Sequence, residues 1–135
     1  MELLWSNPNP SSNLTTNVAI NVDTTQYAHI IALVAYTAGT ANGSNPEYPN
    51  LLLELNKDGP NFSELMYSSS GWGDSSNRND RICSYRGYKV DSDKIMIHGQ
   101  GSTAGYIYTL SGGKENSPRY AIPVAIYGIK KSLID

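Results

Sequence analysis

Chemistry in this chain would have to come from few residues, and their spacing does not bring them together. His29 lies inside an apolar run and His98 follows "KIMI" at a strand end, so each reads as a strand residue rather than a general base. Cys83 is the single cysteine; it stands beside Ile82 in "RICSYRGY" and reads as an inert core thiol. Two histidines and one cysteine so far apart have no zinc-ligand spacing, and Asp91 and Asp93 in "DSD" read as a turn between strands. Glu54, Glu64, Asp74 and Asp80 could be paired for glycoside hydrolysis, but a chain with 12 acidic residues supplies such pairs without design. "GQGSTAG" lacks the helix and the lysine that a phosphate cradle needs. No nucleophile, base and stabiliser meet, so the expectation is a protein that is not an enzyme and uses neither metal nor cofactor.

Binding is better represented. Trp72 stands between Gly71 and Gly73 in a serine-rich segment with nothing local to bury it, and Asp74, Asn77, Arg78 and Asp80 follow closely. An aromatic face beside carboxylate, amide and guanidinium groups suits a sugar, whose C–H faces stack and whose hydroxyls need donors and acceptors. These five residues are the candidate glycan site. The alternative is that Trp72 folds back as a plug over one end of the core.

The elements that must position such a loop follow period 2. "NVAINV" alternates as a half-buried strand, and "YAHIIALVAY" is apolar on both faces, as a central strand is. "NLLLEL" and "FSELMY" flank Asp58-Gly59-Pro60 and are expected to form a hairpin or a neighbouring pair. "RICSYRGYKV", the "DSD" turn, "KIMIHG" and "YIYTL" continue the style, and "SGGKENSP" reads as a turn into the closing run. No capped amphipathic helix and no internal repeat is visible. The expected fold is all-β, an antiparallel jelly-roll-like sandwich of about 8 to 10 short strands in a single domain, residues 1–135.

Composition narrows the partners. A net charge of -2 with 16% charged residues leaves no basic field for a phosphate backbone, so nucleic acid is not expected. The lone cysteine fits synthesis in a reducing cytoplasm. "MELLWSNPNP" has no signal-peptide layout, no run approaches a spanning helix, and no membrane insertion is expected. The tripeptides starting at Asn13, Asn42 and Asn61 match the glycosylation acceptor pattern, which has little meaning without a secretion signal. Ten tyrosines amid abundant Ser, Gly and Asn are a mixture met on adaptable recognition surfaces.

The two ends, "ELLWSNPNPSS" and "YAIPVAIYGIK", together with "YAHIIALVAY", resemble the C-terminal head domain of tail-fibre or receptor-binding proteins of bacteriophages and prophages of Gram-positive bacteria. The resemblance spans Glu2 to Lys131, by residue at the ends and by pattern in the middle. It implies a β-rich homotrimer in the virion, made in the bacterial cytoplasm, that binds host cell-wall carbohydrate and catalyses nothing. It supplies no binding residues for the Trp72 loop.

In the closing run, strict alternation sends Ile122, Val124 and Ile126 into the core and turns Ala121, Pro123 and Ala125 outward as a small apolar face for another subunit. Pro123 cannot donate to a ladder and is expected on an edge strand or at a bulge.

Overall fold

A computed structural model describes residues 1–41, 49–57, 62–66, 81–100, 105–109 and 113–133, with backbone only at 62–66, 81–83 and 107–109. Its strands are β1 (Glu2–Ser6), β2 (Val18–Asn21), β3 (Tyr27–Thr37), β4 (Leu51–Glu54), β5 (Phe62–Met66), β6 (Arg81–Val90), β7 (Lys94–Ile97), β8 (Tyr106–Thr109), β9 (Gly113–Asn116) and β10 (Tyr120–Lys130). Helix is limited, among the described residues, to three 3-10 turns of three residues each. The fold is all-β, as expected, with two antiparallel sheets.

The first sheet runs β1-β10-β3-β4; the second runs β2-β7-β6-β8-β9, with β5 also pairing β6. β4 and β5 therefore do not form the expected hairpin: β4 pairs β3 in one sheet and β5 pairs β6 in the other. Asp58-Gly59-Pro60 lies outside the described residues. β1 and β9 are strands that residue pattern alone passed over. The two runs that carry the sequence resemblance are direct neighbours, because β1 pairs β10 from Glu2↔Gly128 to Ser6↔Ala125. Asn7 extends this pairing: its backbone N–H donates to Val124 O (2.9 Å) and its side chain to Pro123 O (2.7 Å).

The core lies between the sheets. β3 contributes Ile30, Ala32, Val34 and Tyr36, β10 contributes Ile126, and the second sheet contributes Ile20, Ile95, Ile97 and Tyr88. Each fully buried large apolar side chain of this kind is worth about 1.5–3 kcal/mol against exposure.

β10 is central, not an edge strand, and the second expectation for Pro123 is what is found. The register against β3 shifts between Pro123 and Ala125, a bulge that places the residue without an N–H at an irregularity in the ladder. The bulge also corrects the alternation. Ile126 pairs Ala32 and points into the core, whereas Ile122 pairs Ala35 and lies on the opposite face. There Ile122 is covered by the chain's own Ala38 and Ala41. Ala125, expected as an exposed interface residue, is only 5% exposed within a single chain.

One residue ties the sheets together. Arg86, in β6, is 1% exposed and turned into the core. Its Nε donates to Ala121 O (2.8 Å), Nη1 to His98 O (2.8 Å), and Nη2 to Pro118 O (2.9 Å) and Tyr120 O (2.7 Å). Successive carbonyls of an extended strand point opposite ways; those of Tyr120 and Ala121 converge here because Ala121 has φ +49°. That left-handed conformation costs about 1–2 kcal/mol in a non-glycine residue, which the charge-assisted bonds at about 1.5–3 kcal/mol each offset. Burial lowers the Arg86 pKa to about 10, so the guanidinium remains charged at neutral pH.

Candidate functional site

Trp72, Asp74, Asn77, Arg78 and Asp80 lie outside the described residues, between β5 and β6, so the structure brings none of them into a site. Cys83 has a described backbone only, in register with Met66 and Tyr108. "DSD" is the β6–β7 turn, closed by Asp91 N–H donating to Lys94 O (2.9 Å). His98 lies beyond the end of β7, its pKa lowered by burial first and by the Arg86 charge second. Among the described residues no three His, Cys, Asp or Glu side chains are grouped as metal ligands.

Three surfaces have distinct chemistry. The first is the outward face of the first sheet, where register aligns Leu3, Tyr127, Ile31 and Glu54 in one row and Ser6, Ala125, Leu33 and Leu52 in the next. Leu3 is 56% and Leu52 59% exposed, one on each edge strand. Ile31, Leu33, Tyr127 and Ile129 between them are half-buried. Polar groups on this face include Ser6 and the contact of His29 Nδ1 with Glu54 Oε1.

The second surface is the outward face of the other sheet. Tyr85 and Tyr106 are register partners on β6 and β8, and their rings stack with centroids 4.6 Å apart, the spacing of adjacent strands. Lys114 Nζ, on β9, sits 4.1 Å from the centre of the Tyr106 ring, a cation–π contact. Asn116, in register with Tyr106, is exposed beside it.

The third surface is the end of the sandwich where β10 leaves through Lys130 and Lys131. A hollow of about 390 Å³ is lined by Ala28, His29, Glu54, Leu55, Asn56 and Lys57. A second, of about 280 Å³, is lined by Thr24, Thr25, Lys57, Val90, Asp91, Ser92 and Lys131. Lys57 belongs to both, held by donating to Tyr27 O. The floor is built from local hydrogen bonds. Thr24 Oγ1 donates to Asp91 O (2.5 Å), and Thr24 N–H to Ser92 O (3.1 Å), which fastens the 3-10 turn Thr24–Gln26 to the β6–β7 turn. Asp23 caps that turn, accepting from Thr25 N–H (3.1 Å) and Thr25 Oγ1 (2.5 Å), and these bonds hold its carboxyl below the usual range.

Sequence reasoning missed this end of the molecule, because its residues are drawn from four separate segments and none forms a motif. It also missed Tyr85 and Tyr106; their pairing needs the β6–β8 register, although their place in two strand-like runs was visible. Comparison with protein-family models, with curated proteins and with solved structures found no match.

Proposed function

We propose that this protein is a non-enzymatic receptor-binding head of the phage tail-fibre type, in which copies of the chain assemble, as a homotrimer, and recognise host cell-wall carbohydrate. The observation that supports it is the apolar outward face of the first sheet, open from Leu3 on one edge to Leu52 on the other. Apolar surface left in water forfeits roughly 25 cal/mol per Å², and a fibre head recovers that by packing against its copies. The terminal runs that resemble fibre heads build the middle and one edge of this sheet, as β10 and β1. A carbohydrate ligand fits a chain rich in asparagine, serine and tyrosine, and multivalency in a trimer strengthens contacts that are weak singly. Localisation in the virion follows from this reading.

A purely structural fibre tip draws on the same apolar face. Light scattering of the purified chain and binding to a host cell-wall polysaccharide separate the two. A trimer that binds supports the receptor-binding head; a trimer that binds nothing supports the structural tip; a monomer removes the fibre reading. Reducing-end release from the polysaccharide would make the protein a glycan depolymerase instead.

A further inference from the structure

We infer that the two hollows joined at Lys57 are a carbohydrate site that takes two consecutive sugar residues of a glycan chain. This rests on the carbohydrate part of the proposed function and assigns it to residues other than those of the Trp72 loop. Size comes first: at about 390 and 280 Å³ the hollows lie at and just below the lower end of small-molecule sites, about 300–1,000 Å³, and they share a wall. One sugar ring in each, with the linkage at Lys57, follows from that arrangement.

The chemistry of the walls selects the ligand. Lys57 and Glu54 line the same hollow without forming an ion pair with each other. Lys57 uses one of its three N–H donors on Tyr27 O, and Glu54 uses Oε1 on His29. Two ammonium donors and one carboxylate oxygen of the lining residues are thereby left for a ligand in one hollow. In the other, Lys131 and Asp91 both line the hollow with Ser92, and Asp91 Oδ1 lies 3.8 Å from Lys89 Nζ, which leaves its second oxygen for a ligand. A sugar hydroxyl donates one hydrogen bond and accepts others, so adjacent hydroxyls satisfy a cation and a carboxylate together. A phosphate or polyanion would meet Glu54 and Asp91 as repulsion, and an apolar ligand would cover polar walls without offering them partners. Neutral saccharide is the class that offers donors and acceptors to both signs of charge at once.

The site is also preorganised. Lys57, the shared wall, is tethered at its ammonium, and the β6–β7 turn is fastened to the Thr24–Gln26 turn, so less side-chain freedom is lost on binding.

The test is titration of the purified chain, by saturation-transfer NMR and calorimetry, with a panel of neutral disaccharides (gluco-, galacto-, rhamno- and N-acetylglucosamine-containing) and their component monosaccharides. Expected are binding of at least one disaccharide, at least tenfold tighter than its monosaccharides, and at least tenfold weakening in Lys57→Ala. Because Lys57→Ala also frees the Tyr27 carbonyl, Ser92→Trp is the second variant: it fills the smaller hollow from an exposed turn and should weaken the disaccharide to the level of a monosaccharide. The inference is overturned if no disaccharide of the panel binds, if mono- and disaccharides bind equally, or if binding survives both variants. Binding that survives both but disappears in Trp72→Ala overturns this site and leaves the proposed function standing.

Discussion

The two sheets turn unlike faces to solvent, and the inward faces of β3 and β6 differ in the same sense. The first sheet is apolar on both sides: Ile30, Ala32 and Val34 of β3 face the core, while Ile31 and Leu33 face out. In β6 of the second sheet the inward residues are Ser84, Arg86 and Tyr88, and the outward ones are Tyr85, Gly87 and Lys89. A polar residue such as Arg86 can occupy a core position because four backbone carbonyls satisfy it; no side-chain carboxylate contacts it among the described residues. An inward face can thus be held by directed bonds as well as by apolar burial. An outward face that stays apolar has no such account within a single chain.

Substitutions can break that contrast one face at a time. The largest effect belongs to the inward face of the first sheet: Ile126→Asp removes about 1.5–3 kcal/mol of burial and adds an uncompensated charge, and circular dichroism should show an unfolded chain. Arg86→Met, on the inward face of the other sheet, leaves four carbonyls without their donor. At about 1–3 kcal/mol for each buried acceptor that stays unsatisfied, it should lower the melting temperature by more than about 10 °C. A retained melting temperature would show that apolar packing, not the guanidinium, joins the sheets there.

Gly128→Ala comes next. A Cβ at this position would lie 2.4 Å from the Tyr27 ring, which covers the glycine, and overpacking of this kind costs about 1–3 kcal/mol. On the outward face, Leu3→Glu with Leu52→Glu should change stability by no more than about 0.5 kcal/mol yet convert an assembled species to monomer in light scattering. Ala125→Glu is a poorer probe of assembly, because Ala125 is already covered and the substitution attacks the fold itself.

The smallest effect is a pH dependence. Tyr27 donates to the Glu2 carboxylate, and this bond, with burial, raises its phenol to about 12. A raised folded-state value adds stability that is complete below the ordinary tyrosine range near 10 and is lost as pH climbs toward 12. An ultraviolet titration should show Tyr27 among the late-ionising phenols, with Tyr88, which burial also raises; of the two, only Tyr27 should return toward the ordinary range in Glu2→Gln.

Strand positions were legible where a run was long and apolar. "YAHIIALVAY" became β3, "RICSYRGYKV" became β6 with the same boundaries, and the closing run became β10. β9, written as Gly113–Asn116, was not, because its four residues are all exposed and carry no alternation. The partner of β4 was not legible either: Asp58-Gly59-Pro60 is a sound turn signal, but a turn can carry the chain from one sheet to the other as readily as back along the same one. The residues put forward for carbohydrate in the Trp72 loop lie outside the described structure. The end cleft around Lys57 had no local signature at all.

By itself, then, the sequence determined an all-β chain of short strands with a twofold apolar β3 and an irregular β10, since period, β-branching and a proline act over a few residues. Only the tertiary structure decided that the irregularity is a bulge that sends Ile122 and Ile126 to opposite faces. It also decided that Arg86 lies inside, and that Lys57 stands between two hollows. Each of these depends on register or on contacts between residues far apart in the chain, as Arg86 and Ala121 are, and chain order does not encode which distant carbonyl a side chain will meet.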